Sequence, residues 1–120
     1  MMIDFQSFPD ALTTDLGAFS PLEGALTEGM SEAAKTLWSS ADGRVELGLW
    51  ACTAGQFELE MEGGSEFCHF LQGRLRVVQP DGRHTEYGPG DALMMPLGWR
   101  GRWEVLEPIR KIYMYDYKQA

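Results

Sequence analysis

The residues best equipped for chemistry in this 120-residue chain are carboxylates at alternating positions. Glu58, Glu60 and Glu62 fall in the run F-E-L-E-M-E, and Glu66 follows shortly after. A strand sends alternate side chains to opposite faces. The three glutamates therefore point together, and Phe57, Leu59 and Met61 point the other way. That alternation is either a half-buried strand whose glutamates face water or a row of carboxylates gathered around a site. Cys68 shares face parity with Glu66, so it either lines the same cavity or is a small buried apolar residue. Trp99, Gly101 and Trp103 share one face of a later strand. They are either aromatic core or the flat walls of a small-molecule pocket, with a gap at Gly101. Lys111 and Tyr113 are further candidates for the mouth of such a pocket. His69 has the opposite parity to Glu66 and His84 follows a turn, so neither joins the set. Spacing suggests no Ser-His-Asp or Cys-His pair.

The elements that must position these residues are mostly short strands. Residues 1–16 show no period and read as an irregular arm, with Phe5 and Phe8 available for packing. Residues 17–29 read as loop and residues 31–35 as at most one helical turn. From Thr36 the pattern is β. Asp42-Gly43 and Pro80-Asp81-Gly82 carry the residue types of tight hairpin turns. Strands are predicted over 36–39, 45–53, 57–62, 66–71, 74–79, 83–87, 92–95, 99–106 and 109–117. Gln72-Gly73 and Glu107-Pro108 interrupt the series. Turn signals every eight to twelve residues mark a sandwich or barrel. The division expected is an N-terminal arm and loop over 1–35 and a β-barrel over 36–120.

Composition narrows the class. Eighteen acidic against ten basic residues leave a net charge of -8, which disfavours nucleic acid and anionic membranes as partners. No apolar stretch approaches the roughly 20 residues needed to span a bilayer. The N-terminus lacks the basic and apolar regions of a secretory signal, and Cys52 and Cys68 read as free thiols of a reducing compartment. A cytoplasmic location is the expectation.

Glu66 and Gly73 are separated by six residues, Gly90 and Pro96 by five, and Gly98 follows. This double spacing resembles the two motifs of the cupins, G-x5-H-x-H-x3,4-E-x6-G and G-x5-P-x-G-x2-H-x3-N. Within them the chain is similar to the small single-domain group related to ureidoglycine aminohydrolase. The stretches Trp50-Ala51-Cys52-Thr53, Glu66-Phe67-Cys68, Phe70-Leu71-Gln72-Gly73, Gly88-Pro89-Gly90-Asp91, Trp103-Glu104-Val105 and Arg110-Lys111 carry that likeness. It implies an all-β cupin, or jelly-roll, barrel. It also aims Glu60 and Glu62 into the barrel beside Glu66, in a metal-holding position. The motif histidines are absent: Glu60 and Glu62, or Leu59 and Met61, take the first two places and Gly101 the third. Three confined carboxylates need a cation, a proton or a basic group such as Lys111. An all-oxygen set would favour manganese, magnesium or calcium over zinc, and a metal-free site stays open.

Three functions follow from that fold. One is a small-molecule-binding cupin that, with a metal held by Glu60, Glu62 and Glu66, would act as an enzyme on a ureido or carboxylate metabolite, with Cys68, Trp99, Trp103, Lys111 and Tyr113 lining the ligand pocket. The second is a metal-free binding or sensing barrel. The third is a non-catalytic barrel used for protein association. Phe57, Leu59, Met61, Phe67 and Leu71, read as an outer apolar face, would need cover, and a homodimer is expected to supply it.

Overall fold

The computed structural model describes residues 2–119, and none of these is helical. Among the described residues no helix is long and apolar enough to cross a membrane. A two-residue strand, β1 (Ser20–Pro21), borders β2 (Ser31–Ser39), which pairs antiparallel with β3 (Val45–Cys52). The turn between them uses Gly43 at a φ of 73°, a conformation open to glycine without a Cβ clash. Residues 31–35, read as a possible helical turn, are instead strand. Ala33 and Lys35 pair with Ala51 and Leu49, so cross-strand bonding overrides a weak local preference.

After β4 (Gly55–Glu60) come two long strands that organise everything else, β5 (Gly64–Val78) and β8 (Arg100–Tyr117). They pair with each other from Gly64↔Tyr117 to Val78↔Arg102. The expected breaks at Gln72-Gly73 and Glu107-Pro108 are bends within single strands. The register shifts between Phe70 and Leu75, Gly73 has a φ of 94°, and a side chain there would collide with the Pro108 carbonyl. The bend folds one sheet over on itself. Beyond it, β8 has β3 as its other neighbour along Ile109–Asp116; before it, β8 has β4 along Arg100–Val105. Two short strands, β6 (His84–Tyr87) and β7 (Ala92–Met95), pair with the two halves of β5. The result is an all-β jelly-roll.

The core lies inside the fold. Phe70, Leu75 and Trp103 are fully buried with Met61, Met95, Cys68 and Ile109 around them. Each large apolar side chain removed from water contributes about 2–3 kcal/mol. Phe57 and Met61, expected on an outer face, belong to this core, and Leu59 packs against it. The glutamates between them face out, because carboxylates without partners cost far more to bury than phenyl or thioether groups.

Candidate functional site

The bend and pairing of β3, β5 and β8 set one group of side chains on the concave inner face. Register places Trp50 opposite Lys111, Lys111 opposite Phe70, and Tyr113 opposite both Gly48 and Cys68. Gly48 leaves room that the Tyr113 ring occupies; a side chain there would meet that ring directly. A cavity of about 330 Å³ opens at this face. Trp50, Phe57, Leu59, Trp103 and Tyr113 wall it, Lys111 and Glu66 lie in it, and Glu23, Glu32 and Glu58 also border it.

Lys111 is the organising charge. It is 6% exposed, and its Nζ donates to Glu66 Oε2 at 2.5 Å. The same ammonium lies 4.5 Å from the Trp50 ring centre and 4.7 Å from that of Trp103, within cation-π range. The Cys68 thiol donates to Glu66 Oε2 at 2.9 Å. Burial alone would lower the Lys111 pKa. The negative charges that Cys68 and Glu66 can carry outweigh it and hold the pKa above the ordinary lysine value. Burial pushes the Cys68 thiol up to about 12. At neutral pH the lysine is therefore an ammonium and the cysteine a neutral thiol, and neither is a nucleophile. Around the chamber, the Trp50 indole NH donates to Glu32 at 2.8 Å, and the Tyr113 hydroxyl donates to Glu46 at 2.7 Å. Burial, then the Glu46 bond, raises the Tyr113 pKa. The buried indole NH of Trp103 has no hydrogen-bond partner among the described residues.

The candidates read from the sequence separate into two groups. Glu66, Cys68, Trp103, Lys111 and Tyr113 come together. Glu60 and Glu62 do not join them; both are exposed on the opposite face of their segment from Phe57 and Met61. Glu60 pairs across the strand with Arg100 and borders a separate surface depression of about 420 Å³ with Val78, Gln79 and Pro80. Exposed charged side chains dominate that depression, so it offers little burial to a ligand. Trp99 is half-buried, and its indole NH donates to Gln79. Its ring fills the space at Gly101, so that space is not available to a ligand. The inward positions of Trp50, Phe57 and Glu32 were not recognised. Around Trp50 the run V-E-L-G-L-W-A-C is largely apolar on both faces, which hides its parity; F-E-L-E-M-E showed the alternation but not its direction.

The donors do not fit a divalent ion. The oxygens of Glu60 and Glu62 are on the wrong face, one oxygen of Glu66 is taken by Lys111, and no imidazole reaches the chamber. Among the described residues no three His, Cys, Asp or Glu side chains are grouped to hold a metal.

Comparison with known proteins agrees with this architecture. The EutQ protein of Clostridium difficile superposes with a TM-score of 0.64 at 19% identity, covering 78% of this chain and 76% of that one. A putative ethanolamine utilization protein Q of Salmonella typhimurium LT2 gives 0.66 at 21% identity, over 82% and 77%. A DUF861 family protein of Thermotoga maritima is 35% identical over 54% of this chain and 73% of its own, with a TM-score of 0.51. No curated protein matches. The EutQ-like cupin domain matches over residues 39–113, more than half of the sequence, and the chain belongs to that cupin family.

Proposed function

We propose that the protein is a metal-free, small-molecule-binding cupin whose ligand enters the chamber around Lys111 and presents N–H donors to its carboxylates. The observation that carries this reading is the Glu66–Lys111 pair set among Trp50, Phe57, Trp103 and Tyr113 in a cavity of ligand size. A core built only for stability would place apolar side chains here, because a buried ion pair is a poor stabiliser compared with well-packed hydrocarbon. Four glutamates against one lysine border the cavity. That balance favours amino, guanidino or ureido nitrogen and opposes a carboxylate ligand. Ureido compounds, to which the aminohydrolase likeness points, fit the same requirement. With a protonated lysine and a neutral thiol, reversible binding is the chemistry the residues support; no covalent step is assigned to them.

The test is titration of intrinsic tryptophan fluorescence with small amines, guanidines, ureas and carboxylates of matched size. Saturable quenching by a nitrogen-donor ligand, lost in Glu66→Gln, is the expected result. Failure of every compound to saturate at millimolar concentration would remove this reading.

A further inference from the structure

Building on the ligand site proposed for the chamber, we infer that its ligand is a neutral planar amide, a primary carboxamide or a lactam, whose N–H meets Glu66 and whose carbonyl oxygen meets Lys111. The hydrogen-bonding capacity left over in the chamber points to this class. Lys111 Nζ donates to Glu66 Oε2 at 2.5 Å, and the Cys68 thiol donates to the same oxygen at 2.9 Å. Among the described residues no group donates to Oε1, although Glu66 borders the cavity and its side chain is 14% exposed. An ammonium has three N–H donors. Glu66 takes one of them and the Cys68 sulfur, at 3.6 Å, a second; beside the third lie only the ring faces of Trp50 and Trp103. An unused acceptor and an unused donor therefore stand side by side. A primary carboxamide or a lactam offers the reciprocal pattern, C=O and N–H on one edge of one plane. In an open-chain secondary amide, which is trans, the two point apart.

Trp103 supplies an independent observation. It is fully buried and borders the cavity, and its indole N–H has no partner among the described residues. Buried donors are nearly always paired, so one left open at a cavity wall points to an acceptor from outside the chain. The Trp103 ring centre lies 4.7 Å from Lys111 Nζ, so two donors come from the same wall. A carbonyl oxygen has two lone pairs and serves both. An amine or a guanidinium has no acceptor to give them.

Charge narrows the class further. Glu23 and Glu58 are exposed, where water and salt screen them, and Glu32 already accepts from Trp50. At the floor, Glu66 and Lys111 offset each other. A cation placed there would sit beside the Lys111 ammonium, and a carboxylate would face Glu66; both contacts are repulsive in a desolvated site. An uncharged group avoids both. The aromatic walls suit a flat ligand that stacks. About 330 Å³ is at the small end of ligand cavities, enough for a single substituted ring.

Titration of the isotope-labelled full chain, followed by nuclear magnetic resonance of its four indole N–H groups, tests the assignment. Benzamide, benzamidine, benzylamine, benzoate and N,N-dimethylbenzamide share one ring and differ in the group they present. The expected result is saturable binding of benzamide, at least about tenfold tighter than each of the others. The Trp103 indole resonance should move with it; it is identified as the one retained in Trp38→Phe, Trp50→Phe and Trp99→Phe, so the buried core stays intact. Benzamidine or benzylamine binding as tightly as benzamide overturns the amide and leaves the nitrogen-donor site standing. Equal binding of benzoate or N,N-dimethylbenzamide, which have no N–H for Glu66, overturns both. A benzamide complex that leaves the Trp103 resonance unmoved overturns the placement of the carbonyl. Saturation by none of the five, while a ureido or guanidino compound still quenches tryptophan fluorescence, overturns the amide alone; saturation by no compound of either series removes the site itself.

Discussion

The two faces of β3, β5 and β8 reverse the usual arrangement, and they do so together. The inner face, which should be purely apolar, holds Lys111, Glu66 and the thiol of Cys68 among aromatic rings. The outer face, which should be polar, shows Trp38, Phe67, Met94 and Met114 to solvent. Residue spacing is the same on both. A strand alternates strictly, so every residue that lines the chamber has neighbours one position away that must line the outside. Lys111 and Tyr113 flank Ile112, and Glu66 and Cys68 flank Phe67. Departures from inside-apolar, outside-polar cost stability on both faces.

The sharpest way to break this comparison is to remove the inner charge. Lys111→Met leaves the Glu66 carboxylate facing aromatic rings without its cation. We expect a loss of about 3 kcal/mol, with most of it recovered in the Glu66→Gln, Lys111→Met double variant. Urea midpoints at constant slope measure both. A single variant within about 0.5 kcal/mol of wild type would mean that water already solvates the pair, and the inner face would lose its exceptional status.

Alkaline pH probes the same face. The Cys68 thiol ordinarily ionises near 9.0 and is held at about 12 in the folded chain. The folded state thus keeps a proton that the unfolded state releases. Stability from this group is complete below pH 9 and declines as pH rises from 9 towards 12. One such thiol contributes a slope of about 1.4 kcal/mol per pH unit. Cys52, raised to about 12 by burial, adds the same sign. The elevated Lys111 pKa adds a loss of the same sign that begins above the ordinary lysine value of 10.5. Melting curves at stepped alkaline pH should therefore steepen above 9, and Cys68→Ser should remove one proton's share. An unchanged slope in that variant would show that Cys68 is not sealed from water.

Much of the fold was legible because turns and alternation are local. Asp42-Gly43 and Pro80-Asp81-Gly82 mark hairpins through backbone requirements that few residues meet. Gly73 and Pro108 were visible as interruptions, but that they bend two continuous strands depends on their meeting across the sheet. The site was legible only in part. Parity joined Cys68 to Glu66 without saying which face was inside, and it did not choose between Lys111 and Tyr113. Motif spacing then pulled Glu60 and Glu62 inwards, whereas the hydrophobic preference of Phe57 and Met61 for the core turned them out. Glu32 reached the chamber through pairing of β2 with β3, a contact that no local pattern announces.

Trp50 tests a smaller effect on the inner face. Trp50→Phe removes both the indole bond to Glu32 and part of the cation-π contact to Lys111. Ligand affinity should fall about tenfold, with stability lowered by about 1 kcal/mol. Equal affinity in isothermal titration would mean that the ligand does not use this wall.

The weakest effect expected is also the most discriminating for the carboxylate row. Glu60→Gln and Glu62→Gln alter exposed side chains, the first of them opposite the exposed Arg100. Surface substitutions of this kind change stability by no more than about 0.5 kcal/mol. Ligand affinity should also be unchanged, since neither residue lines the chamber. Adding manganese should raise the melting temperature of neither wild type nor variants, because the outward oxygens cannot converge with Glu66. A manganese-dependent rise lost in Glu60→Gln would instead require β4 to turn its face, carrying Phe57 and Met61 out of the core. The inner and outer faces would then have exchanged roles, and the chamber would be a metal site after all.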